Sequence, residues 1–412
     1  MNISSRIGKG LRVLGAAAAL TAAASLSLAS TAFADAGFQR WIQNFEATAV
    51  NSGISRQVYR AAFAGVSEPD AEVIEKARYQ PEFRDDVWDY IDNRVNSEQV
   101  AKGQAERQRY SRWLDAIESR YGVDRDILLA IWSMETNFGA ALQQHDRLHH
   151  LPRALATLAY LDKRRAGFAR QQLIAALKIV QDGHVRVDKL TGSWAGAMGH
   201  TQFIPTSYRT WAVDIDGDNH PNVWESVPDA LASAANLLKK NGWQTGKTWG
   251  FEVAVPAQYR GKLERDNRTI AQWASLGFRR ANGQPLPNVG DRANLIRPAG
   301  DNGPAFLMMK NFFVLKSYNN ADKYALAVGL LGDLIGGYSG LVKDWPRGYT
   351  PLSTEERYEL QQRLAGRGFY DGKIDGKIGS GSKAAIMAFQ GRAGIPADGN
   401  PSRELLTILR GN

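Results

Sequence analysis

Apolar residues recur at three- and four-residue steps from Phe38 to about Leu238, and this periodicity limits most of the chain to amphipathic helices. Trp113, Ile117 and Tyr121 mark one such face, and Leu173, Ala176, Leu177 and Val180 another. A further helix is expected over Asp229 to Lys240, stopped by Asn241-Gly242. From about Trp249 to Ser317 the texture changes. Phe251, Val253 and Val255 alternate with Glu252 and Ala254 among clustered Pro, Gly and Asn, which predicts short strands and loops. Helical spacing returns from Ala321 to about Ile335 and breaks at Gly336-Gly337. The run Trp345 to Pro351 reads as a linker, placed at 346–352. Beyond it residues 353–412 carry a separate apolar pattern: Leu360, Leu364, Phe369, Ile374, Ile386, Phe389, Leu405, Leu406 and Leu409. The fold class expected is mainly α (α+β), with a small strand-containing insertion in the domain at 35–345 and a second small domain behind it.

Residues 1–34 stand apart. Arg6, Lys9 and Arg12 precede an Ala- and Leu-rich run from Leu11 to Leu28, and Ala32-Phe33-Ala34 offers small residues ahead of Asp35. This is the pattern of a cleaved export signal, with Thr21, Ser25 and Ser27 interrupting what an anchor would keep apolar. The chain has no cysteine, which excludes a disulfide scaffold, a Cys-ligated zinc, a thiol nucleophile and a lipoprotein anchor. A soluble periplasmic protein is therefore expected, with secretion outside the cell as the alternative and no membrane span after cleavage. Loss of the leader lowers the formal charge from +9 to +6, a modest excess that suits an anionic wall polymer and does not argue for nucleic acid.

One carboxylate lies in an apolar stripe. In LLAIWSMETNFG, Glu135 shares the helical face of Leu128, Ile131, Trp132, Phe138 and Leu142. A carboxyl group in a dry setting resists ionisation and keeps its proton for a general-acid step, as cleavage of a glycosidic bond requires. The same pattern also fits a buried Glu paired with a cation. A second stretch, GSWAGAMGHTQFIP from Gly192 to Pro205, holds three glycines among small residues, so backbone can approach a ligand while Ser193 and Gln202 offer hydrogen bonds. A tight turn before a helix near Pro205 explains it equally. Gly242 to Thr248 imitates a phosphate loop but is one residue short and follows a helix, and neither an H-E-x-x-H nor a G-x-S-x-G is present.

METNFG and GSWAGAMGHTQFIP, in this order and about sixty residues apart, resemble the membrane-bound lytic transglycosylase B family of peptidoglycan-cleaving enzymes. LDKRRAGF around Arg164 and Arg165, VDIDGDNHPNVW from Val213 and SYNNADKYALAVGLL from Ser317 extend the resemblance over most of residues 38–340. It implies a lysozyme-like catalytic domain in which Glu135 is the sole acid/base. Ser193, Gln202, Arg164, Arg165, Tyr318 and Asn319 then line the glycan groove. It implies cleavage between MurNAc and GlcNAc with closure of a 1,6-anhydro-MurNAc ring, no cofactor, and a monomer acting on peptidoglycan glycan strands. Hydrolysis by the same groove, or wall binding without catalysis, are the alternatives. The chain departs from the family at Phe168 and His200, where tyrosine is common. The tail, through LQQRL, GFYDGKIDG and AIMAFQ, is similar to the small three-helix peptidoglycan-binding domain.

Asp214, Asp216, Asp218, His220 through its carbonyl, Asn222 and Glu225 have the oxygen-ligand spacing of an EF-hand calcium loop. The sixth loop position is Asn219 rather than Gly, a residue that tolerates the left-handed backbone the turn needs. The family has a similar loop, so a structural Ca2+ is expected here.

Overall fold

The computed structural model describes residues 36–78, 86–144, 148–259, 267–287 and 289–411. The leader expected at 1–34 lies outside the described residues. The chain divides into two compact units, one of Met1–Tyr79, His145–Met198 and Phe203–Thr210, the other of Gln80–Gln144, Gly199–Gln202 and Trp211–Asn412.

The first unit is built on the helices Leu151–Leu161 and Ala166–Gln181. Ala71–Arg78 packs on the former through Val73 and Ala77, which share a core with Ala154, Leu158, Ala159 and Ala169. Trp41 and Trp194 lean on that core from its edge. The abundant alanines let these helices approach closely, and fully buried Leu158 fills what space remains. Truncating such a leucine to alanine costs about 2–5 kcal/mol. His149–His150 and Thr191–Gly192 form a two-stranded antiparallel pair with His149 opposite Gly192.

The second unit is organised around the helix Arg125–Thr136. Asp124 caps it, its carboxylate accepting the Asp126 N–H at 2.8 Å. Ile127 through Trp132 are all buried, because Ser97–Arg109, Ser111–Tyr121, Val227–Lys240 and Asp322–Ile335 pack around them. The single stripe expected from Leu128 to Leu142 is thus corrected in two ways. The helix is enclosed on several sides, and it ends at Thr136, so Phe138 and Leu142 do not continue its face. Asn137, Phe138 and Gly139 follow with φ of 51, 56 and 85°, a left-handed run that no helix can propagate.

The strand-rich region forms a five-stranded antiparallel sheet in the order Asn267–Thr269, Arg292–Ile296, Ala305–Met308, Gly250–Ala254, Arg279–Arg280. Phe251 and Val253 enter its core with Ile270, Trp273, Phe278, Ala293, Leu295 and Leu307, while Glu252 and Ala254 turn outward as their alternation predicts. Two stretches expected as strand or loop are helical instead. Ile270–Ser275 is started by a capping box of Thr269 and Gln272, and Lys310–Tyr318 buries Phe312, Val314 and Leu315. In both, short helical pieces are stabilised by packing that periodicity does not report.

The segment read as a linker is pinned: Trp345 is buried, and Arg347 donates to both Asp92 carboxylate oxygens at 2.6 and 2.7 Å. The helices Thr354–Gly366, Ser380–Arg392 and Arg403–Gly411 then enclose Leu360, Leu364, Ile386, Phe389, Leu405, Leu406 and Leu409. Ile374, expected in this core, is 39% exposed, and Ile378 is buried in its place. Two glutamines hold the Asp-Gly turns. Gln361 accepts the N–H groups of Asp375 and Gly376, and Gln390 that of Gly399.

Candidate active site

Glu135 occupies the last turn of the central helix and is half-buried. The Tyr324 hydroxyl donates to its Oε1 at 2.7 Å. Tyr324 is buried near the start of Asp322–Ile335, and its ring stacks parallel to Tyr318, centroids 6.4 Å apart. Burial first, and the Glu135 charge second, push both phenols well above their ordinary range, so each remains a donor. Tyr318 uses its proton on the Thr201 carbonyl. Asn319, next in sequence, is exposed at the end of its helix.

Thr201 belongs to the turn Gly199–Gln202, which is bonded to the Glu135 helix at two points. Trp132 Nε1 donates to His200 Nδ1 at 3.1 Å, and the Thr136 hydroxyl donates to the His200 carbonyl at 2.7 Å. Burial lowers the His200 pKa to about 4, which keeps the ring a neutral acceptor. Gly139 must lack a side chain here: a Cβ would stand 2.7 Å from His200 Cε1. Gln202 has a φ of 49°, and its amide nitrogen donates to the Gly199 carbonyl at 2.9 Å. Of the expected groove residues, the second unit thus brings Glu135, Gln202 and Tyr318 into one bonded network. Tyr324 and His200 join it without having been singled out by spacing. The only signal for Tyr324 was a hydroxyl inside the apolar run ADKYALAVGLL.

Ser193, Arg164 and Arg165 lie in the first unit. The Ser193 hydroxyl accepts the Ala197 N–H at 3.0 Å, closing a turn in which a Cβ on Gly192 would meet the Ala197 carbonyl at 2.4 Å. Arg165 is paired with Asp162 at 2.5 Å, and its guanidinium lies 5.7 Å above the Trp194 ring. Arg164 is exposed. Against the upward push of burial, the bonds from Arg165 hold the Asp162 carboxyl below its ordinary range.

In the calcium-type loop, the carboxylates of Asp214, Asp216 and Asp229 bring oxygens within 4.8 Å of one another. Asp229 was not foreseen; it sits outside the twelve-residue loop, in the first turn of Val227–Lys240. Asp218 turns its carboxylate to the His220 N–H, and the Asn222 side chain accepts from Trp224 and Glu225, so these side chains shape the loop. Asn219 has a φ of 70°, the left-handed geometry expected of it. Three converging carboxylates are a donor set suited to a hard cation.

A cavity of about 910 Å³ lies elsewhere in the second unit, lined by Asp124, Asp126, Trp249, Arg280 and Asp333 among others and by none of the expected groove residues.

Comparison with known proteins matches residues 37–333 to the transglycosylase SLT domain and residues 353–409 to a peptidoglycan binding domain. Over 246 residues the chain is 34% identical to membrane-bound lytic murein transglycosylase B of Escherichia coli. That match takes in 58% of this chain and 65% of the relative, so it spans just under two thirds of the relative's length. SltB3 of Pseudomonas aeruginosa, solved with NAG-NAM-pentapeptide, is 46% identical over 90% of this chain and 99% of its own, with a TM-score of 0.72. Its complex with NAG-anhNAM-pentapeptide gives 45% and 0.71 at the same coverage. SLT35 of Escherichia coli, solved with calcium, is 28% identical over 73% of this chain and 93% of its own, with a TM-score of 0.61. On a domain match that takes in residues 37–333, the chain belongs to the transglycosylase SLT family.

Proposed function

We propose that this protein cleaves the MurNAc–GlcNAc β-1,4 bond of peptidoglycan as a lytic transglycosylase, with Glu135 as the single acid and base. The observation that carries the reading is the carboxyl of Glu135, bonded to the buried Tyr324 hydroxyl at 2.7 Å, in a chain of the SLT family. Protonated Glu135 gives its proton to the glycosidic oxygen as the bond to MurNAc C1 breaks. The MurNAc N-acetyl oxygen stabilises the cationic C1, a substrate-assisted route that replaces the second carboxylate of common glycosidases. Glu135, now ionised, takes the proton of the C6 hydroxyl as that oxygen closes on C1. The proton is returned, no water is consumed, and the product carries a 1,6-anhydro-MurNAc end. Tyr324 keeps the carboxyl oriented through both steps.

Gln202, Tyr318 and Asn319 in one unit, and Ser193, Arg164 and Arg165 in the other, each bind part of the glycan and its peptide. Exposed Arg164 meets lactyl-peptide carboxylates by charge-assisted bonds, and Arg165 is kept rigid by Asp162 and Trp194. The C-terminal domain tethers the enzyme to wall and raises the effective concentration of glycan strands. The protein acts as an exported monomer in the periplasm. Asp214, Asp216, Asp218, His220, Asn222 and Glu225, joined by Asp229, would hold a structural calcium that neutralises the carboxylates gathered there. Millimolar calcium is then expected to raise the melting temperature, and an unchanged melting temperature with no metal bound on isolation removes this assignment.

Mass spectrometry of muropeptides released from purified sacculi tests the main reading. Anhydro-MurNAc products from the wild type that vanish with Glu135→Gln support it. Water-added reducing ends would make the protein a hydrolytic muramidase, and binding without products a wall-binding protein.

A further inference from the structure

The turn Gly199–Gln202 and the end of the Glu135 helix are distant in sequence, yet two hydrogen bonds join them through one residue. His200 accepts the Trp132 indole N–H on its ring and the Thr136 hydroxyl on its carbonyl, and its own N–H donates to the Val223 carbonyl at 2.9 Å. Trp132 and Thr136 are one helical turn apart and flank Glu135 at three residues before and one after. The Thr136 hydroxyl also accepts the Gly139 N–H at 3.1 Å, which steadies the left-handed run that terminates the helix. The His200 ring meets Trp132 edge-on, centroids 5.6 Å apart, in space left open by Gly139.

We infer that His200 is a positioning residue: it locks the turn that carries Gln202 against the end of the helix that carries Glu135, so that the acid and the glycan-binding amide are presented in fixed register. The ring contribution depends on an acceptor at the Nδ1 position and not on charge. A tyrosine hydroxyl there would reach further and could not lie at the same point, so the bond to the Trp132 indole is specific to the imidazole ring. The inference rests on the transglycosylase reading, but its spectroscopic test does not.

Asparagine places a carbonyl oxygen close to where histidine places Nδ1, whereas phenylalanine keeps the ring and removes the acceptor. With soluble glycan strands, His200→Phe is expected to lower kcat about 10- to 100-fold while KM stays within about twofold, as misplacement of a reacting group does. His200→Asn is expected to recover most of the lost kcat. In proteins labelled with 15N-tryptophan, the Trp132 indole resonance, assigned through Trp132→Phe, should move toward the free-indole position in His200→Phe and stay near its wild-type position in His200→Asn. Wild-type kcat in His200→Phe, equal losses in both variants, or an unmoved Trp132 indole in His200→Phe would each overturn the inference. If His200→Phe does not fold, the same kcat loss in Trp132→Phe supports the lock and an unchanged kcat overturns it. Absence of anhydro products from the wild type would refute the transglycosylase reading instead, and the indole shifts would still decide the lock.

Discussion

Two carboxylates sit at opposite ends of one pair of helices, and they look alike. Arg125–Thr136 and Asp322–Ile335 pack antiparallel: at one end Tyr324 meets Glu135, and at the other Gly332 and Gly336 lie against Asp126. Nine residues from Tyr324 along its helix, roughly 13 Å, stands Asp333. Glu135 receives a phenol O–H at 2.7 Å and Asp333 an indole N–H at 3.2 Å. Asp333 is pushed up to about 7 by burial, with Asp124 and Asp126 adding to the push against Trp249 and Arg280, and it borders the 910 Å³ cavity. By cavity and perturbed acidity alone, Asp333 would be chosen as the general acid. What separates the two ends is their setting. Glu135 shares its end with the turn Gly199–Gln202 and the left-handed run 137–139, whereas Asp333 lies beside packed loops near the sheet. A perturbed carboxyl is often only the cost of packing a helix end.

The strongest way to break this contrast is to exchange acid for amide at each end. Glu135→Gln is expected to reduce anhydro-MurNAc release by more than about 10³-fold, the scale of a lost acid/base group. Asp333→Asn should leave release within about twofold, and a large loss there would move the chemistry to the cavity.

Stability should respond in the opposite order. Because Asp333 titrates near 7 when folded and near 4 when unfolded, the folded protein alone holds that proton between these values. Its stabilising contribution is complete below about pH 4 and is lost as pH rises to about 7. Denaturant melts should show Asp333→Asn more stable than wild type at pH 8, by about 4 kcal/mol at most, and the gap should narrow steadily as pH falls and close only near pH 4. A gap independent of pH would show that Asp333 is not the group responsible.

Smaller effects sharpen the comparison. Tyr324→Phe removes the bond to Glu135 and should lower kcat about tenfold with little change in melting temperature, read from product release and calorimetry. Trp249→Phe removes the matching bond to Asp333. It should cost about 1 kcal/mol of stability and leave kcat unchanged. If Trp249→Phe slowed catalysis as much as Tyr324→Phe, the two ends would be functionally coupled and the contrast would fail.

Much of this was legible in the sequence. Spacing located the helices around Ile117, Leu173 and Leu326, alternation located the Phe251–Val253 strand, and a charge among apolar neighbours singled out Glu135, because burial imposes a period on each kind of element. The helical pieces at Ile270–Ser275 and Lys310–Tyr318 were hidden, since tertiary packing and not propensity stabilises them. Asp229 and Tyr324 were missed for a related reason. Each is a polar residue in a largely apolar helix, and such a residue shows a role only through a partner that folding brings near. The metal-type spacing named loop residues by count, whereas three-dimensional convergence selected Asp214 and Asp216 and added Asp229 from the following helix.

By itself, then, the sequence determined most of the long helices, the region that holds the sheet, that a wall-binding-type tail follows, and which carboxylate to suspect. Only the tertiary structure decided what holds that carboxylate. Tyr324 is 189 residues away along the chain and His200 sits 68 from the Trp132 that binds it. Local periodicity records which face of an element is buried, but hydrogen bonds across such separations depend on how the elements cross, which no local pattern encodes.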